Sequence, residues 1–323
     1  MPVTIYNLLS RGMLLKPVMV WVLAQACLSY GTTVAAESRQ PDAAPVPINW
    51  RKLELRDSGM TGSVTTRIEQ RTLAAAAVQP ALLDAPGTMS AREEGTRIQE
   101  LVVASSIRSL LGIKIENRTR LWFNVDDGLP LQLMRLRQGR KPSQKLYRFG
   151  SSQVYRQRRQ PADKTQAGQP AGHWSEISES FYPLPDAEGG GCPIILESAQ
   201  LLYLLSRPDH VFSERTRELC VFDRQRVYRV GFRLQGRESI DVDYLQVDAS
   251  QETRVKRTLE ALLVALTSRP LDDAEGDVQP FSFLGLNDDI HLLLSEPGRI
   301  PLRVRGRVSG FGKIDLKLEK LTR

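Results

Sequence analysis

Apolar and polar residues alternate with a period of two along most of the chain from Trp50 onward. Because successive side chains of a strand point to opposite faces, this alternation indicates strands with one buried and one solvated face. The runs that show it are Lys52–Arg56, Val64–Arg71, Ile113–Phe123, Leu131–Leu136, Lys145–Phe149, Gln153–Arg158, Tyr228–Leu234, Ile240–Tyr244, Leu302–Arg305 and Ile314–Glu319.

Turn residues separate several of these strands, and two further apolar runs lie among them. Asp126-Asp127-Gly128 predicts a hairpin, and Gln235-Gly236 predicts a second turn. The apolar run Leu259–Leu266 is short enough to be a strand or a helix. Pro193–Ser206 is the clearest predicted helix, because proline suits a first turn and Arg207-Pro208 ends the run. This helix is apolar on nearly every side, so we expect it to be deeply buried.

One-sided strands joined by short turns predict a mainly β protein built on an antiparallel sheet with one wet face. A sheet of about ten strands has to curl, and helices then fill its concave side. We therefore expect a half-barrel, a curved antiparallel sheet packed around one or two helices. Residues 49–323 would form this single β-rich domain, with a long loop at 160–191 rich in proline, glycine, glutamine and serine.

Residues 1–36 have the pattern of a signal peptide. Arg11 and Lys16 precede the apolar run Pro17–Leu28, and Val34-Ala35-Ala36 supplies small residues for cleavage. The apolar run is shorter than the roughly 20 residues of a membrane span. The sequence therefore predicts export and cleavage after Ala36, with no membrane span.

Two details of the N-terminal region qualify this prediction. Residues 37–48 are rich in proline and alanine, which favours a flexible lead-in. Cys27 offers an alternative, a lipid anchor on an exported protein. Gln25 disfavours the anchor, because lipoprotein leaders carry small residues at that position.

Cysteine use adds one expected cross-link. Once the leader is removed, Cys192 and Cys220 remain, and in an oxidising compartment an isolated pair is most simply one disulfide. Two buried free thiols are the alternative. Neither cysteine belongs to a CxxC motif and the chain has three histidines, so we expect no metal and no cofactor.

The net charge of the chain is +7, and basic residues concentrate in one region that contains no acidic residue. Tyrosine and phenylalanine are interleaved with them. In an exported protein such a cluster favours lipid head groups or another anionic envelope component, and not nucleic acid. The alternative is a solvated strand face whose acidic partners lie elsewhere in the sequence. The cluster consists of Arg135, Arg137, Arg140, Lys141, Lys145, Arg148, Arg156, Arg158 and Arg159.

No motif for catalysis withstands inspection. The glycines before Lys313 lack the spacing of a phosphate loop, and Ile314 stands where serine or threonine is required. The acidic pairs sit beside glycine, proline or asparagine and are typical of turns. The sequence contains no GxSxG nucleophile elbow.

The region Leu196–Leu234 resembles a known pattern. A helix leads into Cys220-Val221-Phe222-Asp223 and then into the strand Arg226-Val227-Tyr228. This arrangement resembles a family of uncharacterised exported proteobacterial proteins in which a helix precedes a C-x-FDGRRRY strand, and Arg224 stands where that family has glycine. The family is similar in outline to the LolA/LolB lipoprotein carriers, whose half-barrel wraps a helix beside an apolar cavity. The resemblance implies a fold and a periplasmic location, with no catalytic residues to carry over.

We therefore expect a monomeric, non-enzymatic periplasmic protein that holds an apolar or lipid-like ligand in its curved sheet. A structural or interaction protein of the cell envelope without a ligand cavity is the alternative, and a hydrolase is the third. The residues predicted to line the cavity are Ile115, Leu201, Leu205, Val230 and Phe232.

Overall fold

The alternating segments form one large sheet in the computed structural model. The model describes residues 48–59, 62–89, 95–109, 114–139, 141–185, 192–210, 212–249, 251–272, 279–308 and 312–323. The predicted signal peptide with its Ala36 cleavage site, Cys27, the lead-in up to residue 47, Ile113 and Arg140 lie outside these residues. The described residues belong to one compact unit of the chain, Ala44–Arg323.

Across these ranges fifteen strands pair into the sheet, and the pairs are antiparallel except for β9–β10 and a short β11–β15 contact. The sheet order is β8-β7-β6-β5-β4-β3-β2-β1-β15-β14-β13-β12-β11-β10-β9. The strands are β1 (Lys52–Gly59), β2 (Gly62–Ala74), β3 (Arg97–Ser109), β4 (Lys114–Asn124), β5 (Pro130–Gln138), β6 (Ser143–Phe149), β7 (Gln153–Gln160), β8 (Glu176–Pro183), β9 (Ile195–Glu197), β10 (Arg217–Asp223), β11 (Arg226–Asp248), β12 (Gln251–Pro270), β13 (Asp288–Ser295), β14 (Pro301–Val308) and β15 (Gly312–Thr322).

The helices of the described residues are short. They are α1 (Ala75–Val78), α2 (Lys164–Ala167) and α3 (Gln200–Leu205), with single 3-10 turns at Gln79–Ala81 and Ala171–His173. None of them is long and apolar enough to cross a membrane. The expected class, a mainly β protein with a large antiparallel sheet and few helices, is confirmed.

The main core lies on one face of the sheet. Leu53 on β1, Ile68 on β2 and Leu101 on β3 are fully buried there. The three buried leucines of α3 pack into the same cluster, so this helix lies against the concave face. β1 pairs with β15, starting at Lys52 opposite Thr322, and this ladder joins the first eight strands to the last seven.

The predicted helix Pro193–Ser206 is shorter than expected. Its first part is β9, which pairs in parallel with β10, and only Gln200–Leu205 is helical. A disulfide joins Cys192 to Cys220, with Cα atoms 5.6 Å apart, as the sequence predicted. Because this bond holds the segment beside β10, residues 195–197 find strand partners before the helix begins.

Two further expectations differ from the structure. The long loop predicted at 160–191 contains α2 and β8, because β7 supplies a complete set of pairing partners for Glu176–Pro183. The turn predicted at Gln235-Gly236 is a bulge inside the continuous strand β11, where the pairing register with β12 shifts. Leu259–Leu266, ambiguous in sequence, lies in β12. The hairpin at Asp126–Gly128 is present, and Gly128 has a φ of +74°.

A smaller apolar cluster lies on the opposite face, under the segment that contains α1. Arg148 of the basic cluster is buried beside it and donates hydrogen bonds to Leu83 O (2.9 Å) and Leu131 O (2.6 Å). Burial lowers the pKa of Arg148 to about 10. Arg148 therefore has a structural role, because it donates its hydrogen bonds mainly to backbone carbonyls.

Candidate functional site

The basic cluster divides between the two faces of the sheet. Arg135 on β5, Lys145 on β6 and Arg158 on β7 are direct cross-strand partners, and they share the concave face with Leu133 and Tyr147. Neighbouring strands lie about 4.8 Å apart, so the three cations form a row across the inside of the sheet. Arg137 lies one inward position farther along β5. We call Arg135, Arg137, Lys145 and Arg158 the cationic wall.

The other basic residues have separate roles. Arg156 donates to Ser180 Oγ (2.9 Å) and stacks 5.4 Å from the ring of Tyr182. Arg159 lies on the opposite face and donates to Gly172 O (3.0 Å). Lys141 is exposed at the entrance to the cavity described next. The described members of the basic cluster therefore do not share one surface, because alternation along each strand sends neighbouring side chains to different faces.

The cationic wall borders a cavity of about 460 Å³. β2 and β3 contribute one part of the opposite side, β14 and β15 another, and the segment between β12 and β13 the rest. This second side is largely apolar and forms what we call the apolar wall. Its members are Val64, Val103, Ile107, Leu284, Leu286, Val308, Ile314 and Leu316.

Arg135 makes the strongest polar contacts of the cavity. It donates to Glu197 Oε1 and to Asp223 Oδ1, each at 2.7 Å, and these carboxylates are 0% and 1% exposed. Glu197 also accepts from Ala199 N (2.6 Å), and Asp223 accepts from Ser282 N (3.0 Å). Since the carboxylates come from β9 and β10, the network fastens those strands to β5.

Burial and charge act in opposite directions in this network. Burial raises the pKa of the Glu197 carboxyl, and the adjacent Arg135 lowers it. Burial alone would lower the pKa of Arg135, but Asp223 and Glu197 raise it above its usual value. Arg135 therefore stays charged and is neutralised by its own buried partners.

The rest of the cationic wall has no such partners. Within the described part of the chain, Arg137, Lys145 and Arg158 form no hydrogen bond or ion pair, and the buried Nε of Arg158 has no acceptor. Burial, with Arg158, Arg135 and other nearby arginines, lowers the pKa of Lys145 to about 8. The cavity thus contains positive charge that the surrounding protein leaves uncompensated.

Arg224 brings a further cation to the cavity from a strained turn. It follows Asp223 in the two-residue hairpin between β10 and β11, where Arg224 has a φ of 49° and Gln225 a φ of 83°. Such turns favour asparagine and glycine, since other residues are disfavoured in the left-handed region. Arg224 therefore has a left-handed backbone conformation that glycine favours, and this arginine borders the cavity.

The apolar residues predicted from sequence lie elsewhere. Leu201, Leu205, Val230 and Phe232 are buried in the main core, and Ile115 is half-buried on β4. None of the five is among the described residues that line the cavity. The reason is that α3 packs closely against the strands and leaves its leucines in contact with side chains. The actual apolar wall went unrecognised because its strands are far apart in sequence.

Two other features bear on chemistry. No group of three or more histidine, cysteine, aspartate or glutamate side chains suited to a metal occurs in the part of the chain that the structure describes. His210 packs against Phe212 and Phe232, with ring centroids 5.0 and 5.3 Å away. Burial, with Arg217 and Arg299, lowers the pKa of His210 to about 4.

Comparisons with known proteins add little to this geometry. No protein-family model matches the chain. No curated protein matches it either. Among solved structures, the crystal structure of a β-barrel-like protein of the domain of unknown function DUF1849 from Brucella abortus is similar, with a TM-score of 0.40 and 10% identity over 86% of this chain and 98% of that one. A likeness of this size carries no argument about function.

Proposed function

We propose that this protein is a non-enzymatic binding protein of the periplasm that holds an anionic, amphipathic ligand inside its curved sheet. The observation that carries the proposal is a single cavity with an apolar wall on one side and uncompensated cations on the other. A ligand with an acyl or alkyl chain and an acidic head group has the matching distribution of polarity.

The size of the cavity supports a small-molecule ligand. Its volume of about 460 Å³ falls within the range of roughly 300–1,000 Å³ that is usual for such sites. The alternative, an envelope protein whose interior is filled by its own side chains, does not account for this space. It also does not account for Lys145 and Arg158, which are half-buried on the concave face without a partner in the described residues, where charge is costly unless something compensates it.

The proposed location rests on separate features. The signal-peptide pattern of residues 1–36 and the disulfide between Cys192 and Cys220 both suit an oxidising compartment outside the cytoplasm. The intact mass of protein recovered from the periplasm tests this part of the proposal. A mature N-terminus at Glu37 is expected, and a lipid-modified Cys27 would replace soluble export with an anchored form.

Displacement of a fluorescent fatty acid from the purified protein tests ligand binding. We expect dodecanoate to displace the probe and dodecanol to do so more weakly. Arg158→Met should weaken binding of dodecanoate about tenfold, which corresponds to roughly 1.4 kcal/mol. Arg159→Met is the matched control, because this neighbouring side chain points to the other face and should leave binding unchanged.

A second variant tests the apolar wall. Ile107→Trp places a large side chain in the cavity and should abolish binding of both amphiphiles, while the melting temperature reports that the variant is folded. Failure of every amphiphile to bind the wild-type protein would refute the proposal. Equal effects of Arg158→Met and Arg159→Met would also contradict it.

A further inference from the structure

The charges along the cavity exceed what a monovalent head group can balance. Six cationic residues border it on the concave side, and two carboxylates do. Both carboxylates, Glu197 and Asp223, already bind Arg135 at 2.7 Å. Arg224 has only a long contact, with its Nε 3.8 Å from Asp223. The cations left for a ligand are therefore Arg137, Lys141, Lys145, Arg158 and, in part, Arg224.

The positions of these cations are unfavourable in the protein without a ligand. Lys145 and Arg158 are direct cross-strand neighbours, and like charges in such a pair are unfavourable. Arg224 occupies a backbone conformation that disfavours its own side chain. Both features lower the stability of the empty protein, and both bring positive charge to the same cavity. A polyvalent anion bound there would offset this loss.

We infer that the head group of the ligand is a phosphate monoester, bound by Lys145, Arg158 and Arg137, with its alkyl chain along the apolar wall. This inference rests on the proposed function and specifies the chemical class of its ligand. A phosphate monoester carries a charge of about −1.5 to −2 at pH 7 and has three terminal oxygens. A carboxylate carries one charge and two oxygens, which leaves more of the cationic wall unpaired.

The donors of the wall suit this head group. Each guanidinium offers a planar fork that binds two phosphate oxygens, and the ammonium group of Lys145 adds up to three donors. Asn117, Thr119 and Ser143 line the same part of the cavity and supply neutral hydrogen-bonding groups. Burial is the main cause of the lowered pKa of Lys145, and nearby arginines, first Arg158 and Arg135, lower it further; a bound dianion would reduce this second effect.

Isothermal titration of the full mature protein with dodecyl phosphate, dodecanoate, dodecanol and inorganic phosphate tests the inference. We expect dodecyl phosphate to bind at least tenfold more tightly than dodecanoate. Inorganic phosphate at millimolar concentration should not bind, because it lacks the chain that contacts the apolar wall. Lys145→Met and Arg158→Met should each reduce the preference for phosphate over carboxylate to about threefold or less, while Arg159→Met preserves it.

Each contrary result has a distinct meaning. Equal binding of dodecyl phosphate and dodecanoate would overturn the phosphate head group and leave the proposed function intact. Tight binding of inorganic phosphate alone would overturn the lipid source of the phosphate. Binding of none of these compounds would overturn the inference and the proposed function together. Because Lys145 has no described partner, Lys145→Met should fold, and its melting temperature verifies this.

Discussion

Replacement of Arg135 by methionine tests the buried network that fastens β9 and β10 to β5. Methionine keeps much of the aliphatic volume and removes the charge. The variant leaves Glu197 and Asp223 buried without the guanidinium that each contacts at 2.7 Å. Removing one partner of a buried ion pair typically costs about 3–5 kcal/mol. The carboxylates keep hydrogen bonds from Ala199 N and Ser282 N, which argues for the lower half of that range.

The pH dependence of this loss has a definite sign. Burial already raises the pKa of Glu197 in the folded protein, and loss of Arg135 raises it further. A carboxyl whose folded pKa lies above its unfolded value of about 4.3 destabilises the fold as the pH rises through that interval. The difference between Arg135→Met and wild type should therefore be larger at pH 7.5 than at pH 5.

Urea denaturation followed by tryptophan fluorescence measures these free energies. We expect a loss of about 3–4 kcal/mol at pH 7.5, or a fall in melting temperature of roughly 6–16 °C. Arg137→Met is the matched control, because it lies on the same face two residues along and has no ion partner in the described residues; its effect should stay within about 0.5 kcal/mol. A loss below about 1 kcal/mol for Arg135→Met, or one that grows on acidification, would refute this account of the network.

Three further predictions concern stability. Removal of the disulfide by Cys192→Ser with Cys220→Ser should lower the free energy of unfolding by about 3.5 kcal/mol for a separation of 28 residues, and an unchanged urea midpoint would contradict this. Gln225→Gly should stabilise the protein by about 1 kcal/mol in thermal denaturation because it relieves a positive φ, whereas Gln225→Ala should give no gain. His210 has a pKa lowered to about 4 against 6.5 when unfolded, so its contribution to stability is lost as the pH falls between these values. His210→Gln should flatten the decline in stability over that interval, and an unaltered pH profile would show that other groups cause it.

The strands were predictable because local alternation alone specifies which side chains are buried. Val64 and Ile68 on β2, or Leu316 and Leu318 on β15, show the pattern within a few residues, and both strands form as expected. Elements whose formation depends on a pairing partner outside their own segment were not predicted. β8 forms because β7 offers an open edge, and β9 forms because a disulfide holds it beside β10.

The candidate site was predictable only in part, for the same reason. The concentration of basic residues was visible in sequence, but which of them point inward depends on register across three strands. Glu197 lies 62 residues from Arg135 and Asp223 lies 88 residues away, so nothing local in the sequence links them. The sequence also indicated an apolar lining near α3, whereas tight packing of its leucines fills that space.

The ladder between β1 and β15 has a consequence for the order in which parts of this protein fold. Most strands pair with a sequence neighbour, whereas this ladder joins residues about 270 positions apart, and such contacts form slowly. The apolar wall is drawn from β2 and β3 on one side of the ladder and from β14 and β15 on the other. The cavity therefore comes into existence only when the two arms of the sheet have met. Under the proposed function, the chain would gain its affinity for the ligand only after this ladder has formed, so ligand binding would report that folding is complete.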